Sequence, residues 1–128
     1  MSDTYVFVYG TLLTGQPAEG YLSGLRRWPA TTRGQLYRAP AGYPALVHAP
    51  DGRPVVGEVV RLEGPARLTV LDLYEGVPEG LYVRRRIPVE SMGRPGEAWA
   101  WLIDAEVAHR RRYLPLRTGD WRTVTPQS

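Results

Sequence analysis

The sequence predicts an α+β fold, in which a small mixed β-barrel or curled sheet carries one or two packed helices. Short stretches rich in β-branched and aromatic residues recur along the chain, separated by Gly- and Pro-containing turns. Only one segment has a clear helical pattern, so strands and helices do not alternate as a doubly wound sheet requires. A length of 128 residues suits one hydrophobic core.

The first predicted strand covers residues 5–9, and a Gly-containing loop follows it over residues 10–15. Pro17 is placed to open a short helical turn, which Gly24 ends. These features predict a strand that runs directly into a tight loop.

The second predicted strand covers residues 31–38, with a bend or bulge at Gly34. Residues 45–48 and 55–62 then form a predicted hairpin, because Pro, Asp and Gly at positions 50–52 favour a turn.

The clearest helix signal begins at Pro65, because Pro suits the first position of a helix. Leu68, Leu71 and Glu75 share one helical face by their spacing, and Gly76 is a typical C-terminal stop. We therefore expect a helix that ends at Glu75.

Two further strands are predicted over residues 82–89 and 97–103, the first with an edge or bulge at Pro88. The whole pattern predicts one domain over residues 1–122 and a C-terminal tail over residues 123–128. We expect a monomer or a weak homodimer.

The composition excludes several kinds of chemistry. With neither Cys nor Lys, the chain has no thiol nucleophile, no disulfide and no Schiff-base amine. Its two imidazoles, His48 and His109, are too few for a His-rich metal cluster, and we expect both to be surface or structural residues. No apolar run has the length of a membrane span or of a secretory leader, so we expect a cytoplasmic protein without a membrane partner.

The formal charge of +3 raises the possibility of a nucleic-acid partner. The candidate patches are the Arg triplets at residues 84–86 and 110–112. Alternation along a strand divides the first triplet between two faces, and Asp104 and Glu106 precede the second. We expect no nucleic-acid partner, and a nucleic-acid binder remains an alternative hypothesis.

Tyr9-Gly10-Thr11-Leu12, directly after the first strand, is a candidate anion-binding loop. A strand that enters a Gly turn leaves several backbone N–H groups unpaired and directed at one place. Such a loop can receive a small carboxylate.

Glu75 is the candidate acid–base residue. It shares a face with Leu68 and Leu71, so its carboxylate points inward if that face is buried. Burial and the negative end of the helix dipole would both raise its pKa, which suits proton transfer near neutral pH. The alternative is a solvated, inert polar edge formed with Asp72. Glu58, in an apolar strand, is either a second active carboxylate or a barrel-mouth charge paired with Arg.

Three short motifs together resemble the γ-glutamylcyclotransferase-like (AIG2-like) family. They are, in order, Tyr9-Gly10-Thr11-Leu12, Leu71-Asp72-Leu73-Tyr74-Glu75-Gly76 and Tyr82-Val83-Arg84. The resemblance extends from residue 6 to about residue 121 and implies a compact α+β barrel. The sequence of residues 9–17, Y-G-T-L-L-x-G-Q-P, resembles the branch that acts on γ-glutamylamines more than the glutathione-degrading branch.

The resemblance implies an enzyme that cyclises a small γ-glutamyl substrate. The α-amine would attack the γ-carbonyl, which forms 5-oxoproline and releases an amine, with neither metal nor cofactor. It implies that Glu75 is the catalytic acid–base and that Tyr9, Gly10, Thr11 and Leu12 bind the γ-glutamyl portion. Tyr82 would support Glu75 or contact the ligand, or it is an aromatic residue of the core.

The loop departs from the family pattern after Gly15. Many relatives continue with an Asn and a nearby His, whereas this chain has Gln16-Pro17-Ala18-Glu19. The amine that is released is therefore left open. A different class of function also stays open, a non-catalytic module on the same fold that binds a small carboxylate or a protein.

Overall fold

The computed structural model describes residues 3–124. Its strands, in chain order, are β1 Thr4–Val8, β2 Arg27–Arg38, β3 Pro44–His48, β4 Arg53–Leu62, β5 Val83–Ser91, β6 Arg94–Leu102 and β7 Leu114–Pro115. The helices are α1 Ala66–Glu75 and α2 Ala105–Arg110, with 3₁₀ turns at Glu19–Leu22 and Trp121–Thr123. The predicted tail at residues 123–128 lies outside the described residues from position 125 onward.

Five strands form a closed barrel in the order β2-β4-β1-β6-β5, with β5 returning to β2. The neighbours pair antiparallel, except that β1 and β6 are parallel, with Val6 opposite Trp99. The short strands β3 and β7 extend the sheet from β2. The predicted fold class, a small mixed barrel with packed helices, is confirmed.

Prolines lie at the seam where β2 meets β5. Pro29 and Pro88 have no backbone N–H group, and the register here has one residue pair, Thr31 with Glu90. Side-chain hydroxyls supply the missing donors, since Thr32 donates to the carbonyl of Pro88 at 2.7 Å and Ser91 to that of Pro29 at 2.6 Å. The barrel is thus closed by side chains where the backbone ladder is weak.

Alternate residues of β1 belong to two buried clusters. Phe7 packs with residues of the other barrel strands, including Val59 and Ala100, and this cluster fills the barrel. Val6 and Val8 point the other way, toward the cluster that includes Leu71 of α1. The helix is therefore held against the outside of the barrel by its apolar face, as the sequence predicted.

The predicted hairpin of residues 45–48 and 55–62 is wrong. Both segments are strands, but β3 and β4 lie on opposite edges of β2 instead of pairing with each other. Gly34 pairs with His48 on one edge and with Arg53 on the other, in an unbroken register without a bulge. A side chain at Gly34 would overlap the carbonyl oxygen of Val47, so this glycine permits a close approach.

Candidate active site

The loop after β1 is folded by its own backbone hydrogen bonds. The N–H of Leu13 donates to the carbonyl of Gly10 at 3.0 Å, and that of Ala18 to the carbonyl of Thr11 at 2.9 Å. Leu12 and Leu13 are buried beneath the loop and anchor it. In the described part of the chain, the N–H groups of Gly10, Thr11 and Leu12 have no hydrogen-bond partner, so they can receive a ligand.

The helix α1 brings Glu75 to the same place. Gly76 follows it in the left-handed conformation, at φ 75°, and its N–H donates to the carbonyl of Leu73, so the helix ends directly after the acid. Glu75 is partly buried, and its carboxylate has no hydrogen bond or ion pair among residues 3–124. Burial raises the pKa of Glu75 to about 7. This group can therefore gain and lose a proton near neutral pH.

The loop and the acid line the same hollow, which has a volume of about 210 Å³. Every residue that the sequence singled out for the site lines this hollow, namely Tyr9, Gly10, Thr11, Leu12, Glu75 and Tyr82. The remaining lining residues are Phe7, Val8, Tyr43, Pro44, Tyr74, Leu81 and Trp101. Glu75 is the charged group among them, so its ionisation sets the charge of the hollow.

Tyr9 and Tyr82 are neutral groups that direct their protons away from Glu75. The Tyr9 hydroxyl donates to the carbonyl of Trp101 at 2.6 Å, and the Tyr82 hydroxyl donates to the carbonyl of Pro44. Burial, with a further contribution from Glu75, raises the pKa of Tyr9 well above its usual value. Burial also raises the pKa of Tyr82, with Tyr9 and Glu75 contributing. Neither phenol can act as a base at neutral pH, and Tyr82 can offer a ligand only an acceptor oxygen.

A hydrogen bond between Thr11 and Tyr74 connects the loop to the helix. The Thr11 Oγ1 and the Tyr74 hydroxyl are 2.7 Å apart. The Tyr74 ring also packs against that of Tyr21, with ring centroids 4.5 Å apart. Sequence reasoning did not assign a role to Tyr74, although it lies directly before Glu75 in the second motif.

Asp72 fastens the last turn of α1 to the barrel. Its Oδ1 accepts hydrogen bonds from Nε1 of Trp101 at 2.8 Å and from Nε of Arg84 at 2.9 Å. The predicted alternative, a solvated edge of Asp72 and Glu75, is not what the structure has, because Asp72 turns to the barrel and Glu75 to the hollow. Trp101 binds Asp72 through its ring and Tyr9 through its carbonyl, so it contacts both sides of the site. The sequence predicted the strand that carries Trp101 but not these partners.

Glu58 is not a second carboxylate of the hollow. It forms an ion pair with Arg27 at 3.0 Å, and both side chains are largely buried. Its oxygens also accept hydrogen bonds from the backbone and the hydroxyl of Thr14. Of the two interpretations offered by the sequence, the structure has the charge that is paired with Arg.

The other candidate residues lie apart from the hollow. His109 is exposed and His48 is partly buried on β3, and neither lines the site. Among residues 3–124, no three His, Cys, Asp or Glu side chains are grouped so that they could hold a metal ion. None of the helices in the described range is long and apolar enough to cross a membrane.

The Arg triplets are engaged with neighbouring groups. In the first triplet, Arg84 pairs with Asp72 at 2.9 Å, Arg85 approaches Asp104 at 4.0 Å and Arg86 approaches Glu97 at 3.5 Å. In the second, Arg110 approaches Glu106 at 3.7 Å, and Arg111 donates to the carbonyl of Gly80 at 3.3 Å. Much of the positive charge is therefore offset locally.

The fold and the site together define a class of protein, a small closed barrel with an attached helix that places one partly buried acid opposite free backbone amides. The sequence profile of the family described as gamma-glutamyl cyclotransferase, AIG2-like, matches residues 6–123. The chain belongs to this family. No curated protein matches the chain.

Solved structures share the fold. An AIG2-like protein from Mus musculus superposes with a TM-score of 0.71 at 22% identity, covering 91% of this chain and 87% of that one. A structure described as gamma-glutamyl cyclotransferase has a TM-score of 0.65 at 21% identity, with 80% and 67% covered. YkqA from Bacillus subtilis has a TM-score of 0.72 at 22% identity over 94% of this chain, which spans only 40% of the length of YkqA. These likenesses show the shared fold.

Proposed function

We propose that the chain is a γ-glutamyl cyclotransferase that needs no cofactor and cyclises a γ-glutamyl amine or peptide to 5-oxoproline. The α-nitrogen of the substrate forms a bond to its own γ-carbonyl carbon, and the bond from that carbon to the departing nitrogen breaks. No atom changes oxidation state, so the reaction calls for no redox partner. Membership of the family and the observed hollow both support this proposal.

The observation that carries the proposal is that Glu75 and the loop residues Gly10, Thr11 and Leu12 line one small hollow. A γ-glutamyl unit has an α-carboxylate for the amides and an α-ammonium for the acid. A ligand held at both points has its α-carbon fixed in the hollow, and its γ-carbonyl must then fold back toward the α-nitrogen within that small space. Orientation of this kind can lower a barrier by several kcal/mol, on the order of 7–11 at best.

Glu75 would act first as base and then as acid. Its carboxylate takes a proton from the α-ammonium, which frees the nitrogen lone pair for attack. Two protons leave the α-nitrogen in all, and both end on the departing nitrogen, which is released as an ammonium ion. A pKa of about 7 allows Glu75 to accept and return a proton in each turnover. Acid–base help of this kind typically contributes ~10²- to 10⁴-fold in rate.

Tyr82 would help to hold the α-ammonium. Its proton is committed to the carbonyl of Pro44, so its oxygen can accept a hydrogen bond from an N–H group but cannot donate one to a ligand. Tyr9 would act behind it, through its hydrogen bond to Trp101 and its position at the start of the loop. These roles agree with a cationic group bound beside Glu75.

The deciding experiment is a product assay. The purified chain is incubated with a panel of γ-glutamylamines and γ-glutamyl dipeptides, and 5-oxoproline is measured by chromatography. We expect turnover of at least one member of the panel, and a loss of several orders of magnitude in kcat for Glu75→Gln. Matching circular dichroism spectra of the two proteins control for folding.

Two outcomes would reject the proposal. The first is no 5-oxoproline from any panel member while the same compounds bind, which is the behaviour of a non-catalytic module. The second is turnover that survives in Glu75→Gln, which would remove the role of the acid. Binding of single-stranded DNA that weakens steeply with salt would instead support the nucleic-acid alternative.

A further inference from the structure

The loop that faces the hollow is tied to the barrel by one ion pair. Nη1 of Arg27, on β2, donates to the carbonyl of Leu12 at 2.8 Å and to Glu58 at 3.0 Å. Nη2 of Arg27 reaches the carbonyl of Glu19 at 3.4 Å. Glu58, on β4, accepts from the N–H of Thr14 at 2.8 Å and from its hydroxyl at 2.9 Å. The pair therefore contacts the loop at three points, which are Leu12, Thr14 and Glu19.

The ion pair between Arg27 and Glu58 is largely buried. The side chains of Arg27 and Glu58 are 13% and 14% exposed. Charges so far removed from water are costly, and well-packed apolar residues often stabilise a fold as well or better. A stabilising role alone therefore explains the pair poorly, whereas its contacts are concentrated on the backbone of the loop.

The contacts act from the side of the loop that faces away from the hollow. Neither Arg27 nor Glu58 lines the hollow, but Leu12, whose carbonyl Arg27 binds, does line it. These contacts hold the carbonyl of Leu12 and the N–H of Thr14 in place. They therefore fix the orientation of the peptide groups between these two positions and of the peptide groups that precede Leu12. The free N–H groups of Gly10 to Leu12 consequently keep one direction.

We propose that Arg27 and Glu58 are positioning residues, which hold the ligand-binding loop so that its amides converge on the substrate carboxylate. This inference rests on the proposed function for the identity of the ligand, while the hold on the loop is independent of it. Because neither side chain of the pair lines the hollow, it governs how well substrate binds and leaves the proton chemistry of Glu75 unchanged.

The experiment compares Arg27→Met, Arg27→Lys and the control Arg86→Met. Arg86 also belongs to a cross-strand ion pair, with Glu97 at 3.5 Å, but its side chain is 59% exposed and does not approach the loop. Two measurements are made on each protein: hydrogen exchange of the amides at residues 10–19, read by mass spectrometry, and the steady-state KM, kcat and pH profile. Arg27→Lys keeps the charge and tests the pair even where the Met variant folds poorly.

We expect Arg27→Met to speed amide exchange across residues 10–19 about tenfold and to raise KM about tenfold. Its kcat should stay within about twofold of the wild type, with the same pH midpoint. Arg27→Lys should be intermediate because an ammonium cannot match the forked contacts of Arg27. Arg86→Met should match the wild type in both measurements.

Unchanged exchange in Arg27→Met, an equal change in Arg86→Met, or a shifted pH midpoint in Arg27→Lys would each overturn the positioning role. A different result would be faster amide exchange in Arg27→Met together with no turnover by the wild type. That result rejects the proposed function and supports the hold on the loop, so the two failures are distinguishable.

Discussion

Glu58, which contacts the loop from outside the hollow, and Glu75, which lines the hollow, are the same residue type in opposite surroundings. Glu58 is paired with Arg27 at 3.0 Å and accepts three hydrogen bonds from Thr14. Glu75 has no such partner among the described residues, and burial raises its pKa to about 7. A satisfied carboxylate fixes a loop, whereas an unsatisfied one stays able to exchange protons. The side of Glu75, which we call the acid wall, should control kcat, and the side of residues 10–14, the loop wall, should control KM.

After the loss of the acid in Glu75→Gln, the largest expected effect comes from moving the acid without removing its charge. Glu75→Asp withdraws the carboxylate by one methylene, and a displacement of about 1 Å can cost about 100-fold in rate. We expect kcat to fall by about that factor while KM changes little. Steady-state kinetics on the best substrate of the panel measure both constants.

Glu79→Asp is the matched control for that change, because Glu79 is exposed in the turn that follows α1. It should leave both constants unchanged. If the main effect of Glu75→Asp were a rise in KM, the acid wall would control KM, and the proposed assignment of kcat to the acid wall would be wrong.

The unpartnered acid should also destabilise the fold at high pH. Its pKa is about 7 in the folded chain against 4.5 for the ordinary group, so the folded state holds this proton more tightly. Stability is then lost as pH rises from about 4.5 through 7, and the full cost is present above pH 7. Allowing for partial exposure, Glu75→Gln should raise the unfolding free energy at pH 8 by about 2–3 kcal/mol.

Urea denaturation of both proteins at pH 8 and at pH 4 measures this difference. At pH 4 both side chains are neutral, so the gain should disappear, and that condition serves as the internal control. A gain of the same size at both pH values would show that charge burial is not its cause.

A smaller effect is expected from crowding the loop wall. A Cβ at position 10 would overlap the side chain of Pro44, so Gly10→Ala must shift the loop. We expect KM to rise about tenfold at nearly constant kcat, since orientation of the substrate carboxylate is lost. Gly20→Ala is the control, because a Cβ there meets nothing within 4 Å. An unchanged KM in Gly10→Ala would contradict a ligand role for the loop.

The smallest effect should come from the bond that joins the two walls. Tyr74→Phe removes the 2.7 Å hydrogen bond to Thr11, which is worth about 1 kcal/mol. We expect changes of up to about fivefold, shared between kcat and KM. Tyr21→Phe is the control, because it also removes one hydroxyl oxygen, from the ring that packs against Tyr74. It should change neither kcat nor KM. An equal effect in both variants would assign it to ring packing instead.

Local patterns predicted much of the fold. The helix that ends at Glu75 was recognisable because Pro65, two leucines and Gly76 each act within a few residues of chain. The hairpin of β3 and β4 was wrong because partner choice depends on distant residues. The twelve-residue strand β2 offers two edges, β3 pairs with one and β4 with the other, and Gly34 allows the close approach of β3.

The same limit applies to the site. Short motifs identified six of the residues that line the hollow, namely Tyr9, Gly10, Thr11, Leu12, Glu75 and Tyr82. The partners of these residues could not be read from the sequence, because Trp101 lies 29 positions from Asp72 and 92 from Tyr9. Likewise, the pairing of Glu58 with one Arg was an open alternative, since the chain has many Arg residues and no spacing that selects Arg27.

The orientation of the Tyr82 hydroxyl has a consequence for the end of the catalytic cycle. Its oxygen, facing the hollow as an acceptor only, suits a charged nitrogen with several hydrogens. In 5-oxoproline that nitrogen is an uncharged ring amide with one hydrogen. Ring closure itself therefore weakens the interaction of the Tyr82 oxygen with the molecule. On the proposed reaction, product should therefore depart readily, and accumulated 5-oxoproline should inhibit the chain only weakly.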